Sequence, residues 1–197
     1  MKIARRAGHK RMAWKNGQGL TEEVAAFPAG SDVDSFDWRL SIAHVEADGP
    51  FSVFAGVDRT IALLDGAGLA LDLPERLPES LQGARTVELT QGGAPFAFSG
   101  DWTISSRNLG GPTIDLNIMT RRGRCIHEMR RLTLAPGETL TAPGAGWVVF
   151  NSPATIEADG QELAIERFDA IALDAGESFS NRNTEAKILL VTISPAA

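Results

Sequence analysis

A chain of 197 residues with 43% hydrophobic content is long enough for one large domain or two small ones with a substantial buried core. Its formal net charge of −6 repels nucleic acid and anionic membrane, and no apolar run reaches membrane-span length or follows the basic start as a secretion signal does. A single cysteine, Cys125, excludes an intramolecular disulfide and a cysteine-rich zinc site, so the expectation is a cytoplasmic protein with neither nucleic acid nor membrane as a partner.

The first patterned stretch, MAWKNGQGLTEEVAAF (12 to 27), sets Lys15 and Asn16 between Trp14 and two glycines, Gly17 and Gly19, ahead of a strand expected over Val24–Phe27. It lacks the residue order of a phosphate-binding P-loop, and neither a third glycine nor a helix follows as a dinucleotide site requires. On these residues alone it reads as a turn in which Asn16-Gly17 takes positive φ. An anion-holding loop needs allies elsewhere in the chain.

Phe36, Trp38, Leu40 and Ile42 then alternate with Asp37, Arg39, Ser41 and Ala43, the pattern of a strand with two unlike faces. Arg39 and Ser41 either supply hydrogen-bond donors to a site or form a solvent-facing row. Asp58-Arg59 is a charged pair at the mouth of the apolar strand Thr60–Leu64. Arg59 can fork onto a carboxylate, or the pair can simply lie exposed at a strand start. Pro74 to Gln82 is the one stretch with room for a helical turn or two. Strands are expected again at Val87–Leu89, Phe96–Phe98 and Trp102–Ser105.

In TIDLNIMTR (113 to 121), alternation turns Ile114, Leu116 and Ile118 one way and Asp115, Asn117, Met119 and Arg121 the other. Asp and Asn are poor strand formers, so their presence requires either open solvent or a polar cavity. Both readings stand at this point. Arg121 to Arg131 holds five arginines and one Glu, which reads mainly as a solvated connection between strands. Beyond it, strands are expected at Leu132–Leu134, Trp147–Phe150, Leu163–Arg167, Ala170–Leu173 and Lys187–Ile193. Glycine-rich turns separate them. The chain therefore reads as all-β, a sandwich or barrel, in two halves on either side of the arginine-rich segment.

Catalytic and metal motifs are sparse. His9, His44 and His127 show no HxH, HxxxH or HExxH spacing, no G-x-S-x-G elbow occurs, and tyrosine is absent. No metal, cofactor or catalytic residue is assigned. His44 beside Glu46 is the obvious general-base pair for an enzyme reading, and a protein that only docks on a partner is a third reading.

Trp14, Lys15, Asn16, Gly17, Gly19, Thr21 and Glu23 match a W-K-N-G-x-G-x-T-x-E signature, and with FDWRLSIAHVEADGPFSVFAGVDRTIALLDG and GPTIDLNIMTRRG the chain resembles the HutD/Ves family. The likeness runs in patches from about Trp14 to Arg122 and thins afterwards. It implies a bicupin, two cupin-like β-barrels in one chain, divided here as 1–122 and 123–197 with the opening segment able to pair with either half. Set against the cupin metal motif, the histidine positions fall near Ser52 and Phe54 and the Glu position on Arg59, a set suited to an anion and not to a divalent metal.

The resemblance further implies a small-molecule-binding protein that modulates histidine utilisation by holding a carboxylate such as urocanate or N-formylglutamate. Trp14, Lys15, Asn16, Gly17, Gly19, Arg39, Ser41, Arg59, Asp115, Asn117 and Arg121 are the expected ligand-binding residues, with Arg59 as the main anchor. The alternative is a metal-free cupin isomerase or epimerase acting by general acid and base, although sugar epimerases of that class pair a His with a Tyr that this chain lacks. A homodimer is compatible with either.

Overall fold

Antiparallel pairing organises the whole chain, as the alternating patterns require. The computed structural model describes residues 1–75, 83 and 85–196. In chain order the elements are β1 (Lys2–Ala4), a 3-10 turn (Arg6–Gly8), β2 (Lys10–Ala13), β3 (Gly19–Phe27), β4 (Trp38–Val45), β5 (Gly49–Pro50) and β6 (Val57–Asp65). There follow β7 (Leu69–Asp72), β8 (Thr86–Leu89), β9 (Phe96–Ser99), β10 (Ser105–Asn108) and β11 (Thr113–Arg121). The remaining strands are β12 (Cys125–Leu134), β13 (Thr139–Thr141), β14 (Gly146–Phe150), β15 (Ala154–Ala158), β16 (Gln161–Ile165), β17 (Ala170–Leu173), β18 (Ser178–Asn181) and β19 (Ala186–Pro195).

Two compact units result. One comprises residues 10–124, and the other joins residues 1–9 to 125–197. The opening segment divides accordingly: β1 pairs with β17 of the C-terminal unit, whereas β2 pairs with β3 of the N-terminal unit. Each unit is built from two sheets. In the N-terminal unit the orders are β2-β3-β4-β11-β6-β9 and β5-β10-β7-β8, and in the C-terminal unit β1-β17-β14-β19-β12 and β13-β18-β15-β16. None of these sheets closes on itself: each unit is a pair of open sheets where a cupin-like β-barrel was expected.

The cores lie between the paired sheets. Ile61 and Leu63 of β6 meet Leu69 and Leu71 of β7, Leu89 of β8 and Phe98 of β9 in one unit. Val148 and Phe150 of β14, Ile156 of β15, Phe179 of β18 and Ile188 of β19 meet in the other. Burying each such side chain contributes about 1.5–3 kcal/mol.

Several sequence expectations are revised. The arginine-rich segment is not a connection: Cys125 to Arg131 belongs to β12, paired residue for residue with β19. The strand expected at Val24–Phe27 begins at Gly19, and the one at Trp102–Ser105 starts only at Ser105. Most of the helical turn expected at Pro74 to Gln82 lies outside the described residues. The short edge strands were missed because three to five residues are too few for a period to declare itself.

Candidate functional site

The central strands of the six-stranded sheet have both faces buried, which is why β4, β6 and β11 carry almost unbroken runs of inaccessible residues. Register places Arg39, Met119 and Arg59 in one row across β4, β11 and β6. Ser41, Asn117 and Ile61 form the next row, and Ala43, Asp115 and Leu63 the one after. Period-2 alternation therefore puts Arg39, Ser41, Arg59, Asp115 and Asn117 on a single face. All five are buried, with Asp115 wholly inaccessible. A solvent-exposed polar row is thereby excluded for Asp115 and Asn117.

Arg59 is walled by aromatic rings. Its guanidinium carbon lies 5.3 Å from the Phe51 ring centroid, 5.3 Å from Phe54 and 4.9 Å from Phe98. One Nη1 donates to the Ser52 carbonyl at 3.1 Å, while Nε has no hydrogen-bond partner. The positions near Ser52, Phe54 and Arg59, singled out above by motif alignment, thus meet in space as an aromatic-lined cation. Burial draws the Arg59 pKa down to about 10, with Asp115 opposing and Arg39 adding to the shift, so the group stays cationic at neutral pH. Arg39 differs in having its Nε bound to Glu23 Oε2 at 2.7 Å. Arg39 and Arg59 flank Met119 on adjacent strands, about 10 Å apart between backbones.

Asp115 faces this cationic side without touching it. Neither of its carboxylate oxygens has a hydrogen-bond partner, and the Asn117 Oδ1 is likewise unpartnered. Burial pushes the Asp115 pKa up to about 7, and the Arg59 charge only partly restrains it. Three buried acceptor oxygens without donors are costly, because native interiors pair nearly all such groups with protein, water or ligand. The face is fitted to take an anionic group at Arg59 and hydrogen-bond donors at Asp115 and Asn117. Among the described residues no group of three or more His, Cys, Asp or Glu is arranged to hold a metal ion.

The signature loop turns out to be hairpin architecture. Trp14 Nε1 donates to Thr21 Oγ1 at 2.9 Å, and the Trp14 N–H donates to the Gly19 carbonyl. Asn16 is spent locally, its Oδ1 accepting from the Gln18 N–H and its Nδ2 donating to Gln18 Oε1. Gly17 takes φ +70, and a Cβ on Gly19 would stand 2.2 Å from the His44 carbonyl oxygen. Lys15 is exposed at the tip. Gly19 pairs with Val45 whereas Ala26 pairs with Arg39, so the hairpin lies at the opposite end of β4, about 20 Å from the Arg39 row. Trp14, Lys15, Asn16, Gly17 and Gly19 are accordingly removed from the Arg39–Arg59 row, whereas Thr21, to which Trp14 bonds, stands in the Asp115 row. Arg121 is committed elsewhere: Nε and Nη2 donate to the carbonyls of Phe36 and Asp34, pinning the loop before β4.

Glu23, Phe51 and Phe98, which contact Arg39 and Arg59, are residues of this face that sequence reasoning did not single out. Glu23 was legible, since it stands in the signature and alternates with Thr21 on β3. The phenylalanines had no separate signal. His44, expected beside Glu46 as a base, has Nε2 2.9 Å from Glu22 Oε1 instead. His44, Glu46, Asp65 and Thr113 line a cleft of about 570 Å3 at the Val45 end of the sheet, so a base there is remote from Arg59.

The fold is all-β and of cupin type, a likeness shared with a cupin conserved barrel domain protein from Leptotrichia buccalis at a TM-score of 0.57, 12% identity and coverage of 98% of each chain. The model of the HutD family matches residues 6–191, and the chain belongs to that HutD/Ves family. Protein Ves of Citrobacter koseri is 37% identical over 139 residues, covering 70% of this chain and 65% of Ves, so the match spans just under two thirds of that relative. An uncharacterized 21.2 kDa protein in the hutC 3′ region of Pseudomonas putida is 30% identical over 197 residues, 98% of this chain and 97% of the relative. Among solved structures, HutD from Pseudomonas fluorescens SBW25 superposes with a TM-score of 0.75 at 27% identity, covering 100% of this chain and 99% of its own.

Proposed function

We propose that the N-terminal unit binds a small carboxylate and that the protein modulates histidine utilisation through that ligand, with urocanate and N-formylglutamate as the leading compounds. The observation that carries this reading is the buried, aromatic-walled Arg59 whose Nε lacks a partner, on the same sheet face as Asp115 and Asn117. Membership of the HutD family and a relative in the hutC 3′ region support the pathway. In this reading each two-sheet unit is a cupin-like half of a bicupin, the ligand site belongs to the first half, no catalytic residue or cofactor is needed, and the setting is cytoplasmic. Among the described residues no helix is long and apolar enough to cross a membrane.

Isothermal titration of wild type and Arg59→Ala with urocanate and N-formylglutamate tests it, with melting curves as the control for folding. Wild type binds, and Arg59→Ala loses roughly 2–5 kcal/mol of affinity because a ligand carboxylate is left unpaired in a buried site. Saturation at about 100 times the dissociation constant stabilises the wild type by about 2.7 kcal/mol. Unchanged affinity in a folded Arg59→Ala protein removes the site from this face.

A further inference from the structure

Arg59 is 5% exposed and Arg39 6%, so a small molecule reaches this row only if part of its cover moves. Two loops close the Arg59 end of the face, where Phe36 and Phe54 pack with Val57 and Met119. The loop carrying Phe36 is clamped: Arg121 donates from N–H, Nε and Nη2 to the carbonyls of Asp37, Phe36 and Asp34, and its guanidinium lies over the Phe36 ring. Phe51 to Ala55 is built differently. It belongs to no strand, its Ser52, Val53 and Ala55 are exposed, and the rings of Phe51 and Phe54 lie on Arg59.

The ends of this segment are fixed posts. Gly49-Pro50 pairs with β10, and the Phe51 N–H donates to the Ile104 carbonyl at 2.8 Å. At the other end the Gly56 N–H donates to Asp101 Oδ1 at 2.9 Å and its carbonyl accepts from the Arg122 N–H, while the Arg122 guanidinium bonds Asp58 and Asp101. Between the posts the Phe54 N–H meets the Gly100 carbonyl at 2.8 Å, and the Ser52 carbonyl accepts from Arg59 Nη1 at 3.1 Å. Gly100 is the seat of the closed form: a Cβ there would stand 2.7 Å from the Phe54 carbonyl oxygen and 2.8 Å from that of Val57.

We propose that Phe51 to Ala55 is a strap that lifts between these posts and is the door to the buried Arg59 row. Lifting it breaks isolated hydrogen bonds and uncovers two half-buried rings, whereas moving a sheet strand breaks a whole ladder, so local opening belongs here. Arg59 itself ties the Ser52 carbonyl, and the strap and an entering anion thus share one guanidinium. Passage of a carboxylate through this door rests on the reading above; the opening itself does not.

The first test needs no ligand. In a Cys125→Ser background, Met119→Cys sets a thiol in the Arg59 row, packed against Phe54, and Ile156→Cys sets an equally buried one in the C-terminal core. Iodoacetamide should label Met119→Cys at least about tenfold faster than Ile156→Cys, because only the first is reached through local opening. Gly100→Ala, which unseats the strap, should speed labelling at Met119→Cys and leave Ile156→Cys unchanged, and Phe54→Ala does the same service should Gly100→Ala fail to fold. Amide exchange in the unsubstituted chain is the parallel measurement: Phe54 should exchange at least about tenfold faster than Leu116 of β11 and respond little to dilute urea. Equal labelling at the two thiols, or Phe54 exchanging at the rate of Leu116, overturns the strap. Urocanate and N-formylglutamate are then added. Slower labelling of Met119→Cys that is abolished by Arg59→Ala supports strap and carboxylate together; fast labelling that neither acid changes, with neither acid binding, overturns the carboxylate reading while the strap stands.

Discussion

The two units share a plan and differ in what they bury. Between its sheets the C-terminal unit packs Phe150, Ile156, Phe179 and Ile188, and its buried Asp169 is well served. Asp169 accepts from the backbone N–H groups of Arg6 and Glu166 and from Arg5 Nη1, while Asn181 Nδ2 donates to the carbonyls of Leu134 and Thr184 and its Oδ1 alone lacks a partner. The N-terminal unit buries Arg59, Asp115 and Asn117 with orphaned atoms on each. A polar group that holds the fold together is recognisable by its completed bonds, whereas a cluster of incomplete ones on one face is a candidate place for a guest. The C-terminal unit leaves Asn181 Oδ1 isolated, whereas the N-terminal unit gathers the unpartnered atoms of Arg59, Asp115 and Asn117 on one face.

The largest effect that sharpens this contrast is expected from Phe150→Ala in the C-terminal unit. Removing a wholly buried ring should cost about 3–5 kcal/mol in urea unfolding, with carboxylate affinity unaltered in the folded protein. A parallel fall in affinity would show that the C-terminal interior also serves the ligand.

Next comes Asp169→Ala, expected to cost about 3 kcal/mol near neutral pH because two backbone donors and Arg5 lose their acceptor. Those bonds hold the Asp169 pKa below the ordinary carboxylate value against the opposing pull of burial. Its contribution is therefore present above the unfolded value and lost as pH falls through the folded one. Unfolding midpoints of wild type and variant should converge between neutrality and strongly acidic solution. A constant gap would mean that the carboxylate is not the stabilising form.

Asp115 should behave with the opposite sign. Its folded pKa of about 7 lies above the unfolded value, so the folded state holds the proton longer, and the stability due to this group is lost as pH rises through neutrality. Asp115→Asn has no such loss. Relative to wild type the variant should gain on the order of 2 kcal/mol between pH 5 and pH 8 in the absence of ligand. A stability difference that does not change with pH would show that Asp115 is already paired, and would close the candidate place for a guest.

Sequence patterns revealed the all-β class and the strand that carries the site, because Asp115 and Asn117 interrupt an Ile and Leu alternation that needs no polar residue. They also singled out Arg59 and Arg39. What they could not convey was depth: a period of two separates faces but says nothing of what covers each, and here both faces of β4, β6 and β11 are buried. The same blindness let Lys15 join the site from the signature and Arg121 from its place in the alternation. Register, which decides that the hairpin and Arg59 lie at opposite ends of β4, is a long-range property absent from any local window.

Lys15→Ala is expected to have the smallest effect, and it discriminates between the two ends of the sheet. Trp14, Asn16, Gly17 and Gly19 are fixed by hairpin geometry: an indole bond to Thr21, an Asn16–Gln18 exchange, a positive φ and a close approach to the His44 carbonyl. Lys15 shares in none of these bonds and sits exposed at the tip, where its charge is screened by water and salt. Stability should change by less than about 0.5 kcal/mol, and affinity for an acid held at Arg59 should stay within about twofold, since roughly 20 Å exceeds the screening length at physiological salt. Titration and melting of Lys15→Ala beside Arg59→Ala measure both quantities. A loss at Lys15 exceeding that at Arg59 would move the carboxylate site to the hairpin end, where His44 and Glu46 line the open cleft, and would leave the buried Arg59 as a packing residue among its three aromatic rings.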